Sequence, residues 1–453
     1  MYSSIFQKLI FPTMEYSKGT TILPYLRELN RTQWLKPDEI RAIQEKKLHA
    51  LVRHAYDRIP YYRNLFRANT LTPDDIRTEA DLRKLPFLTK QVIRENFKDM
   101  VDPALTGKNA FVNHTSGSTG EPLKYYISMD GISISWATGY RGWGWGGYAL
   151  GDKRVTLALG SSQQMNLSFM KKVRFLLERN MALTIMNMTE ERMRSYAGQI
   201  RSFRPEFIRG YPSSLYVFAL FLQKEGREDI RPRTIFTVAE TLYPHQRKVI
   251  EETFGCNILD TYGCRDGGAN AMQCGEHDGY HVGAEQCILE VMKGGQPAGT
   301  GEWGEIVTTD LHNYVMPFIR YRTGDVAETT EELCPCGRGL PLFKKIQGRL
   351  IGLVRDSQGN ILSGLPLTDI FEFMEQTRHN TVTQYQVIQD KNSDITVKVV
   401  RGENYTDADD ARIVEDFKKH LGEGISIRIE YVNDIPLTKN GKRLYVLSDI
   451  REI

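Results

Sequence analysis

The chain has 453 residues, and its 59 basic and 56 acidic residues leave a formal net charge of +3. This length exceeds that of one ordinary domain and predicts two to three domains. The charges are scattered and no basic block stands out, so the sequence offers no electrostatic basis for nucleic-acid binding. Apolar residues make up 41% of the chain, a proportion typical of globular proteins with large cores.

The N-terminus carries a short apolar patch at residues 5–11, interrupted by Gln7 and Lys8. This patch is too short and too polar for the core of a signal peptide. The chain also lacks a run of eighteen apolar residues, so we expect no transmembrane segment. We therefore expect a cytoplasmic protein, in which disulfides are rare and the six cysteines need another role.

The predicted elements change character along the chain. Residues 38–100 place apolar side chains at helical spacing, and a further short helix is predicted at residues 74–85. From about residue 110, short apolar runs alternate with helical stretches, which is typical of α/β layers. The strands predicted in this part cover residues 123–127, 155–159, 207–209, 234–238 and 256–259.

Two further patterns follow. Residues 286–291 and 304–309 predict antiparallel strands with glycine-rich turns. A fresh unit begins near Gly348, with strands at 385–389, 395–400 and 426–431 and a helix at 407–421. We therefore predict an α/β protein: a large N-terminal domain over residues 1–347, with layered α/β structure and an antiparallel β subdomain, and a small α+β C-terminal domain over residues 348–453.

A loop of hydroxyl residues and glycines follows His114. Its glycines let the backbone approach phosphate oxygens closely, and its serines and threonines add O–H donors to the backbone N–H donors. Lys124 lies at the wrong offset for a Walker loop. A flexible turn explains the loop equally well in isolation, but the strand predicted directly after it favours phosphate binding. The loop residues are Thr115, Ser116, Gly117, Ser118, Thr119 and Gly120.

This loop, with the Glu121-Pro122 that follows, resembles the phosphate-binding loop of the adenylate-forming superfamily, which contains acyl-CoA synthetases, peptide-synthetase adenylation domains and luciferases. Each further motif alone has an ordinary structural explanation, such as a strand, a turn or a core tyrosine. Their occurrence in the order typical of the superfamily favours the resemblance. These motifs are Ala239-Glu240-Thr241, Thr261-Tyr262-Gly263, Tyr321-Arg322-Thr323-Gly324-Asp325, Gly348-Arg349 and the segment from Pro436 to Lys442.

The resemblance implies an ATP-dependent, AMP-forming ligase that activates a carboxylic acid as its acyl-adenylate. In this family the loop binds the β- and γ-phosphates, and magnesium bridges them. The C-terminal domain is mobile about a hinge near Gly348 and carries the catalytic lysine. The implied contacts are Glu240, Tyr262 and Gly263 at the adenine, Asp325 at the ribose hydroxyls, Arg349 at the ribose or a phosphate, and Lys442 at the carboxylate and the α-phosphate.

Within the superfamily the chain resembles phenylacetate-CoA ligases and the related CapK-like proteins. The resemblance includes residues 51–63, 85–90, 210–214 and 316–320. Two departures matter. The superfamily commonly places Thr or Ser before Glu where this chain has Arg265-Asp266, so we expect Arg265 to neutralise the α-phosphate and Asp266 to hold magnesium. Ile351-Gly352 also replaces the usual acidic hinge pair.

The cysteines predict a metal site. Cys334 and Cys336 are one residue apart, and Cys274 is followed by His277 and His281. Such a set suits a closed tetrahedral zinc site, and buried free thiols are the alternative. The family resemblance favours zinc bound by Cys274, His281, Cys334 and Cys336. The zinc-binding histidine of the family follows a glycine and then an aromatic residue or leucine, and His281 follows Gly279-Tyr280. Cys256, Cys264 and Cys287 are predicted core positions.

The sequence leaves the substrates open. The acceptor is CoA, or an amine or hydroxyl such as that of a sugar precursor in surface polysaccharide biosynthesis. A non-catalytic binding descendant is a third hypothesis, which the retention of Lys442, Asp325 and the loop opposes. An aromatic stretch either lines an acyl pocket or packs in the core, and we favour the core. Its members are Trp136, Tyr140, Trp143, Trp145 and Tyr148. The identity of the small-molecule acid and the oligomeric state also stay open.

Overall fold

The fold is given by a computed structural model. The phosphate loop at residues 115–120, Arg349 and Lys442 lie outside the residues that it describes, so their roles stay predictions. The structure describes residues 2–105, 110–114, 123–159, 169–185, 188–227, 229–347, 353–359, 361–363, 367–368, 370–371, 374, 378, 380–436 and 444–448.

Helices form most of the first hundred residues. The apolar positions that predicted a helix there, Leu48, Leu51, Val52 and Ala55, are all fully buried. Among the described helices, none combines the length and apolar content needed to cross a membrane. The helices of this part are α1 (Tyr2–Ile5), continued by a π-helical turn (Phe6–Ile10), then α2 (Phe11–Lys18), α3 (Ile22–Thr32), α4 (Pro37–Arg58), α5 (Pro60–Ala68) and α6 (Lys90–Glu95).

The helix predicted at residues 74–85 is wrong. The segment instead forms two short 3-10 helices, Pro73–Asp75 and Ala80–Lys84. Asp75 accepts hydrogen bonds from the backbone and hydroxyl of Thr72, and Asp81 does the same with Thr78. Such local side-chain bonds compete with a continuous helix, because they satisfy the backbone donors in a turn.

A mixed sheet of twelve strands forms the centre of the N-terminal region, counted over the described residues. Its order is β11-β10-β12-β13-β14-β9-β8-β7-β6-β5-β3-β4. The block from β7 to β4 is parallel, and the rest is antiparallel. The parallel strands are β3 (Arg154–Leu159), β4 (Asn180–Thr184), β5 (Phe207–Gly210), β6 (Thr234–Val238) and β7 (Asn257–Cys264).

Helices cover both faces of the parallel block, which explains why its strands are apolar on both sides. One core lies under α9, α10 and α11, and the other lies under α2, α3 and α7. The predicted α/β layers are confirmed. The helices of this region are α7 (Met129–Trp145), α8 (Phe169–Leu177), α9 (Glu190–Phe203), α10 (Pro212–Lys224) and α11 (Pro244–Phe254).

The antiparallel half contains the strand pair β10 and β12 that the sequence predicts at 286–291 and 304–309. A separate hairpin, β1 (Ala110–His114) and β2 (Lys124–Ser128), flanks the predicted phosphate loop. The antiparallel strands of the large sheet are β8 (Ala269–Gln273), β9 (Tyr280–Val282), β10 (Cys287–Lys293), β11 (Gln296–Pro297), β12 (Trp303–Asp310), β13 (Tyr321–Thr329) and β14 (Leu342–Gln347).

The C-terminal residues build a second sheet of order β19-β18-β17-β20 with its own core around Val387, Val397 and Phe417. The helix predicted at residues 407–421 is present in the structure with the same bounds. The boundary at residue 348 stays a prediction, because residues 348–352 are outside the described part. The elements are β15 (Leu353–Arg355), β16 (Ile361–Ser363), β17 (Val382–Gln389), β18 (Ile395–Arg401), α12 (Asp407–Leu421), β19 (Ile427–Tyr431) and β20 (Val446–Ser448).

A buried ion pair fastens α3 and α7 to the loop before β10. Arg141 donates to both carboxylate oxygens of Glu285 at 2.8 and 2.9 Å, and Thr32 donates to the same carboxylate at 2.6 Å. Burial alone would raise the pKa of Glu285, but Arg141 and these hydrogen bonds hold it below its usual value. This depressed pKa adds stability above the ordinary glutamate pKa, and that stability is lost as the pH falls through the folded value.

Arg141→Met is expected to lower the free energy of unfolding by about 3–5 kcal/mol, because it leaves the Glu285 carboxylate buried and unpaired. Urea denaturation measures this loss at neutral pH. Lys293→Met is the matched control, since Lys293 and Glu302 form an exposed pair 2.8 Å apart, whose loss should cost about 1 kcal/mol or less. Equal effects of the two variants would contradict the role given to the buried pair.

Candidate active site and cysteine–histidine cluster

Three of the predicted motifs follow neighbouring parallel strands. β5, β6 and β7 lie side by side and run in one direction, so their carboxyl ends share one edge of the sheet. Tyr211 follows β5, Glu240 follows β6, and Arg265-Asp266 follows β7. Ligands of open parallel sheets bind at this edge. The structure therefore brings together motifs that are far apart in sequence.

The turn after β6 is strained. Ala239 has a φ of +73°, a left-handed conformation that residues with a Cβ rarely adopt and that clusters at functional sites. The next residue, Glu240, accepts a hydrogen bond from the backbone N–H of Ser213 at 3.0 Å. Because Ser213 lies in the first turn of α10, this carboxylate caps a helix N-terminus and ties the β6 turn to the β5 turn.

Tyr262 and Asp325 meet across the sheet. The Tyr262 hydroxyl donates to Asp325 at 2.9 Å. Burial raises the pKa of Tyr262, and Asp325 raises it further, so the phenol keeps its proton and remains a donor. Glu305 on β12 fixes the irregular stretch of β13 that carries Asp325, because it pairs with Arg322 and accepts from the Gly324 N–H at 3.3 Å. The two predicted nucleotide contacts are therefore neighbours in the structure.

Asp266 is held at both carboxylate oxygens. Oδ1 accepts from the Cys264 thiol at 3.1 Å, and Oδ2 accepts from the Tyr321 hydroxyl at 2.6 Å. Burial raises the pKa of both donor groups. Cys264 is buried as predicted, but no pattern in the sequence indicates that it also positions Asp266. Arg265, by contrast, is exposed at the sheet edge.

A second cluster lies near the antiparallel strands. Cys274 follows β8, His281 lies in β9, and Cys334 and Cys336 precede β14. One potential ligand atom of each residue lies within 4.8 Å of the other three. The Cys274 and Cys334 sulfurs are 3.6 Å apart, and the Cys336 sulfur is 3.3 Å from His281 Nε2. A tetrahedral zinc with bonds of about 2.3 Å to sulfur separates two sulfur ligands by about 3.8 Å, so the four residues fit this ion.

His281, and not His277, belongs to this cluster. Burial, with Arg338 and Arg141 nearby, lowers the pKa of His281 to about 4. The imidazole is therefore neutral at physiological pH, which is the form that binds metals. Trp145 packs edge-on against the His281 ring with centroids 5.2 Å apart.

The aromatic stretch divides between several environments. Tyr140, Trp143 and Tyr148 are buried in the core beneath α7, as the core interpretation expects. Trp145 is half-buried beside the cysteine–histidine cluster, and Trp136 is exposed. Among the predicted core cysteines, Cys287 is fully buried, whereas Cys256 is only half-buried at the margin of the core under α11.

The chain is similar in sequence to known proteins over most of its length. It is 30% identical over 328 residues to the phenylacetate-coenzyme A ligase of Escherichia coli (strain K12), covering 69% of this chain and 71% of the relative. The chain belongs to the phenylacetate-CoA ligase family, within the adenylate-forming superfamily. It is also 25% identical over 387 residues to the protein CapK of Staphylococcus aureus, covering 83% of this chain and 82% of that protein. The CapK C-terminal domain family matches residues 354–449.

This family member has the fold of 2-hydroxyisobutyryl-CoA ligase, solved in a postadenylation state. The TM-score is 0.73 at 18% identity, covering 92% of this chain and 91% of that one. The same ligase in its thioesterification state gives 0.58 at 18% identity, over 91% and 90% of the two chains.

Proposed function

We propose that this protein is an ATP-dependent, AMP-forming ligase that activates a carboxylic acid as its acyl-adenylate and passes the acyl group to an acceptor. One observation carries the proposal. The Tyr262–Asp325 hydrogen bond lies beside the ends of β6 and β7, where Glu240 and the Arg265-Asp266 pair emerge. Motifs from three parts of the chain thus meet where a nucleotide and an acid could be held together.

Each residue would have its own role in the reaction. A carboxylate oxygen of the acid attacks the α-phosphorus of ATP, the bond to the bridging oxygen breaks, and pyrophosphate leaves with that electron pair. Negative charge spreads over the phosphates, so positioned cations are the main catalytic means. Arg265 would face the α-phosphate, Lys442 would bridge it and the carboxylate, and Asp325 would hold the ribose.

Magnesium, when bound, would neutralise charge on the phosphates. Asp266 fits a role in holding it, because two accepted hydrogen bonds leave lone pairs free on a carboxylate. The Cys264 and Tyr321 donors would fix the direction in which this carboxylate points. The glycine-rich loop at residues 115–120 would contact the β- and γ-phosphates, as the family resemblance implies.

The acceptor has two candidates. CoA is favoured by the family to which the chain belongs. An amine or hydroxyl acceptor, as in surface polysaccharide biosynthesis, is the alternative that the resemblance to CapK-like proteins implies. A domain that rotates between half-reactions would help to form the acceptor site.

We also propose a structural zinc ion at Cys274, His281, Cys334 and Cys336. All four donors are soft or borderline ligands that suit zinc, and three of them are almost completely buried. A closed site of this kind would join β8, β9 and the loop before β14. We assign it no role in the transfer chemistry.

ATP–pyrophosphate exchange tests the main proposal. The full-length protein is incubated with ATP, magnesium, labelled pyrophosphate and a panel of aliphatic, aromatic and dicarboxylic acids. We expect label in ATP that depends on one class of acid and does not require CoA, because adenylation precedes transfer. CoA and an amino sugar are then added in separate reactions. We expect stoichiometric ATP consumption only in the reaction that contains the true acceptor. Absence of exchange with every acid would favour the non-catalytic hypothesis.

A further inference from the structure

Arg209 occupies an unusual place on β5. It lies one residue before the strand ends and is half-buried. Its backbone neighbours in register are Thr156 on β3 and Phe236 on β6. Its guanidinium lies over the ring of Trp143 from α7, 5.5 Å from the centroid. The charged group is therefore held between the sheet and the buried aromatic residues of α7.

This guanidinium has no anionic partner among the residues that the structure describes. The interactions it makes are the contact with Trp143 and longer-range electrostatic effects from groups such as Arg154, Tyr211 and Arg265. Burial, together with the positive charge of Arg154, lowers the pKa of Arg209 to about 10. The side chain is still charged at neutral pH, and such charges are almost always paired when they serve the fold.

Two acids in this part of the described structure already have partners. Glu178 pairs with Arg154 at 2.7 Å and with Arg174, and Glu240 accepts a hydrogen bond from the Ser213 N–H at 3.0 Å. Arg265 adds a further positive charge at the same edge of the sheet. The local excess of positive charge favours an anionic ligand.

The position of Arg209 relative to the proposed nucleotide site indicates which anion its guanidinium would bind. Only β6 separates β5 from β7, so Arg209 lies about 10 Å across the sheet from the strand that carries Tyr262. That separation fits the length of a short acid whose reactive carboxylate points at the α-phosphate.

We propose that Arg209 binds a second carboxylate, at the far end of the acid substrate, so that the enzyme selects a short dicarboxylic acid. This inference rests on the proposed function, since it places the acid in the site where adenylation would occur. Arg209 would be a specificity-determining residue. A neutral acid of the same shape would leave this half-buried charge without an anionic partner among the described residues.

Direct binding tests the inference without requiring catalysis. The full chain is titrated calorimetrically, in the presence of α,β-methylene-ATP, with succinic, adipic and terephthalic acids and with the monoamide of each. We expect at least one diacid to bind about 100-fold more tightly than its monoamide, because truncating a buried charge pair costs a few kcal/mol. Arg209→Met should abolish this preference, and Arg209→Lys should retain part of it.

Arg201→Met is the matched control, since Arg201 is an exposed arginine on α9 paired with Asp229 at the surface. It should leave the preference unchanged. The inference is overturned if no diacid binds more tightly than its monoamide, or if Arg209→Met weakens diacid and monoamide equally. It is also overturned if Arg209→Met weakens α,β-methylene-ATP alone, because the arginine would then serve a nucleotide phosphate.

Stability separates a ligand-binding role from a structural one. Arg209→Met removes a half-buried charge that has no anionic partner among the described residues, so its melting temperature should equal or exceed that of the wild type. Arg154→Met breaks a buried pair and should melt lower. If Arg209→Met instead melts as low as Arg154→Met, the arginine supports the fold and the inference is wrong.

Exchange assays keep the two proposals distinguishable. Selective diacid binding without ATP–pyrophosphate exchange would support the diacid site and contradict the proposed ligase activity. Exchange that occurs equally well with diacids and with their monoamides would support the ligase activity and contradict the diacid site. Exchange limited to diacids, and lost about 100-fold in Arg209→Met through a raised KM for the acid, would support both.

Discussion

Lys442→Ala is expected to lower ATP–pyrophosphate exchange by about 100-fold or more, because it removes a cation aimed at charge that develops in the transition state. The loss should appear in kcat more than in the KM for ATP, since the lysine acts on the reacting groups. The measurement is the initial rate of label incorporation at saturating ATP with the preferred acid. Circular dichroism and the melting temperature should match those of the wild type.

The same segment offers its own control. Lys439 is the other lysine between Pro436 and Lys442, and Lys439→Ala removes an equal charge without the assigned contact. We expect it to retain most of the exchange activity. Transfer from a chemically prepared acyl-adenylate should survive Lys442→Ala, because the lysine is assigned to adenylation alone. Undiminished exchange in Lys442→Ala, or an equal loss in both variants, would contradict the assignment.

Contacts between the two halves of the chain support this assignment. Tyr445 follows Lys442 closely in sequence, and its hydroxyl accepts a hydrogen bond from Gln246 of α11 at 3.2 Å. Its ring also packs edge-on against Tyr243, with centroids 5.3 Å apart. Both partners lie just after the Ala239–Thr241 turn. Tyr445 is therefore held against the helix that follows the Ala239–Thr241 turn.

The sequence predicted the features that depend on local pattern. Apolar runs bounded by turns placed β3, β5 and β6 to within a few residues, because strands buried on both faces are continuous apolar segments. The C-terminal strands β17 and β18 bury alternate residues, and their β-branched composition placed them equally well. The cysteine–histidine cluster was also predictable, since metal ligands must be particular residue types near one another in the chain or in neighbouring strands.

Other features depend on contacts that sequence alone does not specify. Cys264 and Tyr321 hold Asp266, yet Tyr321 is 55 residues away in sequence and only the packing of β13 beside the β7 turn brings them together. Arg209 appears ordinary in sequence, because its lack of a counter-ion is a property of its surroundings. The segment at 74–85 was misassigned because side-chain hydrogen bonds within two turns outweighed helical propensity.

Cys334→Ser is expected to abolish stoichiometric zinc binding and to lower the melting temperature by about 5 °C or more, because a structural metal contributes its binding free energy to folding. Metal analysis of the native protein should find one zinc per chain before substitution. The cluster joins β8, β9 and the loop before β14, so its loss should loosen the antiparallel half first. Hydrogen exchange would report this as faster exchange in those strands.

Two matched pairs of variants test the zinc prediction, His281→Ala with His277→Ala and Cys334→Ser with Cys256→Ser. His281→Ala should lose the metal and His277→Ala should keep it, since only His281 lies among the cysteine sulfurs. Cys256→Ser should keep it as well, because Cys256 lies at the margin of the core under α11 and outside the cluster. A native protein without zinc, or a Cys334→Ser variant with unchanged melting temperature, would contradict the proposed metal. ATP–pyrophosphate exchange should persist in Cys334→Ser below its melting temperature, since the cluster is assigned no part in the chemistry.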